Sequence, residues 1–220
     1  MCANCQDLFE PIVPPQCAKC SVKTKYNVPR CASCHSKIFF FENNHATFEY
    51  EELIRDMLHK VKFQNSIETA HCLGKLWASK LQMQAESDAI VVPLPLHRNK
   101  LKTRGFNQAN ILAMHVAKKL ALALEDVLER CVDTPPQSGL HPRQRVENVT
   151  DAFAIKQGVE VRGKHFIIVD DIYTTGASVN ECARILKESG AASIHCATLV
   201  VVRKKDDDDT EEEHGQELSQ

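Results

Sequence analysis

The chain has 220 residues, with 27 Lys and Arg against 29 Asp and Glu, ten cysteines and 43% apolar residues. That is enough for one sizeable core plus a small appended module, and no stretch approaches the length of a membrane span. Met1–Cys5 lacks a basic region followed by an apolar one, which argues against a secretory leader and for the cytoplasm.

Six cysteines fall as three Cys-x-x-Cys pairs within the first 34 residues: Cys2/Cys5, Cys17/Cys20 and Cys31/Cys34. Disulfides do not persist in a cytosolic protein, and a short polar segment with Pro14, Pro15 and Pro29 cannot bury a core of its own. Four thiolates around structural Zn²⁺ would supply the missing folding energy, against a redox role for one pair. Both combinations of adjacent pairs fit a zinc ribbon, so which four bind stays open. A spare pair, or two ions sharing ligands with His35 or His45, is equally compatible. The expected module spans residues 1–40. Cys72, Cys131, Cys182 and Cys196 lie in apolar surroundings and read as small core residues.

Helical spacing then predicts two helices, Glu51 to Phe63 and Ile67 to Met83, followed by a short strand, Asp88 to Val92, that stops at Pro93 and Pro95. His97, Arg98, Lys100, Lys102 and Arg104 follow in what reads as a basic loop closed by Gly105. Arg98 and Arg104 offer planar forks suited to phosphate oxygens, and Lys100 and Lys102 add point charges. The same side chains could hold a nucleic-acid backbone, with Phe106 or His97 available for stacking, or be a solvated basic face with no ligand. Phe106 to Leu124 reads as an amphipathic helix and Val127 to Val132 as a strand. Pro135–Leu140 reads as an exposed connection, and Arg143, Arg145 and Asn148 recur at helix-like spacing beyond it, the two arginines being further candidates for pyrophosphate or a DNA backbone.

Gly158–His165 fits the spacing of a P-loop, but His165 stands where Ser or Thr should be, and the segment precedes a strand rather than following one. It reads as a turn. Phe166 to Asp170 and Ser193 to Val202 are the strongest strands, joined by a helix from Ser178 to Ser189. Strands alternating with helices predict an α/β fold with a doubly wound, mainly parallel sheet over residues 41–203. The last fifteen residues carry eight acids and no Lys or Arg. The segment 204–220 is expected to be a disordered acidic tail, and without those fifteen residues 27 basic side chains face 21 acidic ones, a surplus of +6.

The chemistry concentrates where the strand Phe166–Val169 delivers Asp170 and Asp171 and then Thr174, Thr175, Gly176, Ala177 and Ser178 at a helix start. Open α/β sheets bind ligands at the carboxyl ends of strands, and a helix start favours an anion. Two carboxylates suit neighbouring ribose hydroxyls or hydrated Mg²⁺. The bland alternative is a buried strand with an acidic helix cap.

This run resembles the phosphoribosyl pyrophosphate loop of the type I phosphoribosyltransferases, and residues 1 to about 203 resemble the ComF competence family. Val92–His97 with Arg104–Ala109, the order Thr134, Gln137, Leu140, Arg145, Asn148 and Phe153, and Lys62–Phe63 carry the wider likeness. Many ComF proteins have four cysteine pairs rather than three. The resemblance implies a type I phosphoribosyltransferase-like fold with an N-terminal zinc ribbon, binding phosphoribosyl pyrophosphate with Mg²⁺ at Asp170, Asp171 and Thr174–Ser178. In ComF proteins it implies single-stranded DNA on the basic loops and assistance to DNA uptake or handling in natural transformation. A competence helicase and other uptake proteins at the inner face of the membrane are the implied partners. The competing reading is a phosphoribosyltransferase with an unidentified acceptor. Enzymes for 6-oxopurines place an aspartate where Thr174 stands, so enzymatic activity stays open.

Overall fold

The computed structural model describes residues 6–134 and 148–203. Cys2, Cys5, Arg143, Arg145 and the acidic segment 204–220 lie outside the described residues. The described strands are β1 (Asn44–Glu49), β2 (Ile90–Pro93), β3 (Ala123–Leu124), β4 (Leu128–Arg130), β5 (Phe153–Ile155), β6 (His165–Tyr173) and β7 (Ser193–Val201). The helices are α1 (Ala32–His35), α2 (Glu52–Phe63), α3 (Ile67–Lys80), α4 (Arg98–Arg104), α5 (Gln108–Leu120) and α6 (Ala177–Glu188).

Five strands form one parallel sheet in the order β1-β7-β6-β2-β3, and β4 and β5 make a separate antiparallel pair. The apolar runs of β6 and β7 are covered on both faces, as the near-continuous hydrophobicity of parallel strands requires. Phe166 and Ile168 belong to a core with Val179, Cys182 and Leu186 of α6, whereas Ile167 and Val169 join Leu58, Leu73, Trp77 and Leu112 from α2, α3 and α5. Fully burying one such large apolar side chain contributes about 1.5–3 kcal/mol. Polar contacts orient the helices: Ser66 caps α3 by accepting from the Thr69 amide at 3.3 Å, and the Trp77 indole donates to Thr47 Oγ1 of β1 at 2.8 Å.

Several sequence expectations are corrected. The basic stretch after β2 is a helix, α4, capped at its start by the His97 side chain and at its end by Gly105. No residue of α4 is buried, so no apolar period marked it. The helix expected over Phe106 to Leu124 stops at Leu120, because Ala121 turns left-handed (φ 56°) and Ala123–Leu124 pair with β2. β6 does not stop at the acids but runs through them to Tyr173, held in register with β7 by Asp170 opposite Thr198 and Tyr173 opposite Val201. β1 and β5 were not anticipated. Cys182 and Cys196 are buried as expected, but Cys72 is half-buried and Cys131 exposed, since it follows the end of β4. Gly158–His165 is made of turns leading into β6.

Candidate functional site

Strand order puts the site at a crevice. From β2 the chain passes through α5 to β3 on one side, and from β6 it passes through α6 to β7 on the other. The carboxyl ends of β2 and β6 therefore sit where the winding reverses, the place such sheets leave open. β2 ends at Pro93 opposite Val169, one residue before Asp170. Asn107, the cap of α5, donates from Nδ2 to the Leu94 carbonyl at 3.0 Å and fixes the chain leaving β2.

The two aspartates emerge from β6 into this opening. Asp171 is buried, 3% exposed, and Asp170 Oδ1 accepts from the Asp171 amide at 2.8 Å. Burial and then the neighbouring charge of Asp171 push the Asp170 carboxyl well above the usual carboxylate range. Beyond Tyr173 the chain turns into α6. Thr175 Oγ1 accepts from the Ala177 amide at 3.3 Å, and Gly176 sits left-handed (φ 77°) as the cap of a helix with no acid in its first turn. An anion arriving there meets no carboxylate of the helix itself. Asp170, Thr174, Gly176, Ala177 and Ser178 line a small cavity of about 30 Å³. The structure thus brings Asp170 and the hydroxyl-rich turn together, whereas Asp171, the next residue of the same strand, is not in that lining.

The cations divide. Lys100 and Arg104 line a larger cavity of about 320 Å³ together with Lys62, Asn65, Asn99, Thr103 and Asp133. Arg98 and Lys102, exposed and also four apart, lie outside its lining. A helix, unlike a loop, separates the four side chains into two faces, so they do not form one set. Burial pushes the Arg104 guanidinium down, partly offset by Asp171. Of the stacking candidates, His97 is 5% exposed with Nδ1 3.3 Å from Asp133 Oδ1, and Phe106 packs against the core. Neither is free to stack. The exposed aromatic near the cavity is Phe63, 70% exposed, with the His59 ring 4.5 Å away.

Sequence reasoning missed three residues here. Lys62, at the end of α2, places Nζ 2.7 Å from Asp171 Oδ2. Burial alone would push its ammonium down, but the charge and hydrogen bond of Asp171 together with the charge of Asp170 outweigh this and raise it. Asp133 accepts from Asn99 Nδ2 at 2.7 Å, and Arg130 stacks on Phe153 at 5.2 Å while feeling the charges of Asp133 and Asp170. The one local signal was the pair Lys62–Phe63 at a helix end.

In the core on the α6 side of the sheet lie Cys17, Cys20, Cys31 and Cys34, all buried, with their sulfurs within 4.8 Å of one another. The Cys20–Cys31 separation is 3.7 Å, where the edge of a tetrahedron with metal–sulfur bonds of 2.3 Å is about 3.8 Å. The donor set fits a tetrahedral thiophilic cation. His35 is exposed and His45 lies in β1 beside His195, so among the described residues neither joins the cluster. Contacts tie this module to the ligand turn: Lys37 Nζ donates to the Thr175 carbonyl at 3.2 Å, Asn180 Nδ2 to the Ile38 carbonyl at 3.0 Å, and the Phe40 amide to Asn180 Oδ1 at 2.9 Å. The Phe41 ring meets Tyr173 edge-on at 6.5 Å.

The model of the phosphoribosyl transferase domain family matches residues 107–217. Competence protein F of Haemophilus influenzae is 25% identical over 201 residues, covering 88% of this chain and 87% of that protein. The DNA utilization protein YhgH of Salmonella typhimurium is 29% identical over 193 residues, covering 83% and 84%. Competence protein ComFC of Streptococcus pneumoniae is 28% identical over 202 residues, covering 91% and 87%.

Proposed function

The chain belongs to the phosphoribosyl transferase domain family, and from that premise we propose that it binds phosphoribosyl pyrophosphate with Mg²⁺ and handles single-stranded DNA in natural transformation. The observation that carries the first half is the pairing, at one crevice, of Asp170 and Asp171 with the Thr174–Ser178 turn and a cavity lined by Lys62, Lys100 and Arg104. Ribose hydroxyls or Mg²⁺ go to the acids, the 5′-phosphate to the turn, and pyrophosphate to the cations. Mg²⁺ contributes neutralisation of phosphate charge. Zn²⁺ at Cys17, Cys20, Cys31 and Cys34 has a structural role, holding the module that braces the turn.

The second half is supported by the charge of the body and by the names of the relatives, two of them competence proteins and one a DNA utilization protein. Arg98, Lys102 and Phe63 are all exposed, offering cations for a strand's backbone and a ring for its bases. A competence helicase and other DNA-uptake proteins are the partners this role requires. No described helix is long and apolar enough to cross a membrane.

Two measurements test the pair of ligands. Thermal melts of wild type with phosphoribosyl pyrophosphate and Mg²⁺ should rise in a dose-dependent way, and Asp170→Asn with Asp171→Asn should abolish the rise. Equal protection of both proteins removes the acids from the site. Fluorescence anisotropy with a labelled single-stranded oligonucleotide should show binding that weakens about tenfold or more between 50 and 200 mM salt, since phosphate contacts release counterions. No binding at the lower salt rejects the DNA role.

A further inference from the structure

We propose that Lys62 is a displaceable cation seated on the aspartate pair, and that a ligand gains the Asp171 carboxylate only by drawing this ammonium off into the adjoining cavity. The proposal rests on the sugar-phosphate reading above and deepens it by naming the residue that selects the ligand.

Lys62 has two environments within reach. On one side its Nζ lies 2.7 Å from Asp171 Oδ2, a charge-assisted contact whose release needs a replacement for both partners. On the other side Lys62 lines the cavity of about 320 Å³ that also presents Lys100 and Arg104. Asp133 is the single carboxylate in that lining, so the cavity carries a surplus of positive charge.

An ammonium between a buried carboxylate and a cationic cavity cannot leave Asp171 alone, because an unpaired buried charge is costly. A free divalent cation must compete with it for the acids. A ligand carrying both a pyrophosphate and hydroxyls with a bound metal solves both halves at once: the anion accepts Lys62, and the hydroxyls or metal replace it on Asp171. Lys62 thus favours molecules that join these two chemistries over either chemistry alone.

The test uses full-length Lys62→Met, which keeps the side-chain length and removes the charge. Mn²⁺ alone, followed by electron paramagnetic resonance, should bind the variant about tenfold or more tightly than wild type, and adding Asp171→Asn to the variant should erase the gain. Phosphoribosyl pyrophosphate with Mg²⁺ should bind the variant at least about tenfold more weakly. A prop for the fold would weaken both ligands, whereas a displaceable cation moves them in opposite directions. Mn²⁺ affinity that is unchanged or reduced, a gain that survives Asp171→Asn, or undiminished affinity for phosphoribosyl pyrophosphate each overturns the proposal. Failure of wild type to bind phosphoribosyl pyrophosphate would instead reject the ligand reading, and the Mn²⁺ titration still reports on Lys62. Should Lys62→Met melt early, Lys62→Gln answers with the same probes.

Discussion

Removing the Zn²⁺ proposed for the four-cysteine site should unfold the N-terminal module and loosen the ligand turn with it. The module has little else to hold it. Apart from the four cysteines, the buried apolar residues among its described ones are Phe9 and Val22, and its described β-pairing is confined to isolated bridges, Gln16 to Lys23 and Cys17 to Val28. Structural zinc contributes roughly 10–16 kcal/mol of apparent binding energy in small zinc peptides, more than the whole stability of many domains. Without a cation the four sulfurs cannot ionise together at this spacing, and as thiols they offer only weak hydrogen bonds. Loss of the module also removes the Lys37, Ile38 and Phe40 contacts to Thr175 and Asn180 and uncovers Tyr173. Chelation should therefore lower the melting temperature and, separately, reduce affinity for phosphoribosyl pyrophosphate. Elemental analysis confirming a metal-free sample with an unchanged melt would show that the module stands without it.

The second large effect is expected at Gly176. Its φ of 77° already disfavours a side chain, and a Cβ there would lie 2.4 Å from Tyr173 Oη and 2.6 Å from Cζ. Tyr173 cannot swing away, being 3% exposed, paired with β7 and packed against Phe41. Gly176→Ala should cost about 1–2 kcal/mol for the left-handed backbone and a further 1–3 kcal/mol for overpacking. Gly158 supplies the control, since its φ is 81° but nothing lies within 4 Å of an added Cβ. Gly158→Ala should lose only the backbone part. Urea denaturation of the two variants separates the terms, and equal losses would mean that Tyr173 yields. Affinity for phosphoribosyl pyrophosphate should fall in Gly176→Ala and be unchanged in Gly158→Ala.

What could be read from the sequence was what lies contiguous in it. Asp170, Asp171 and the Thr174–Ser178 turn occupy nine consecutive positions, so their chemistry was visible before the fold was known. The strand carrying them was read too short, because polar acids end an apolar run on paper, while pairing with β7 continues it to Tyr173. The cysteine pairs were conspicuous, but their even spacing left open which four meet. The structure brings Cys17, Cys20, Cys31 and Cys34 together. Lys62, Asp133 and Arg130 escaped because each reaches the crevice from a distant element, and no local pattern marks a residue whose partner lies 109 positions away, as Asp171 does from Lys62. β1 was missed for a similar reason. Asn44 and His45 break its apolar alternation, and its stability comes from pairing with β7 and from Asn44 donating to Thr198 Oγ1.

The pairing of β1 with β7 also sets an order of events on the ribosome. The first described strand, residues 44–49, must wait for residues 193–201. Residues 193–201 must be made before that edge can zip, and long-range parallel pairing is slow even then. Gathering four cysteines spread over 18 positions needs no such delay, so metal capture can give the nascent amino terminus an anchor while the rest is still being made.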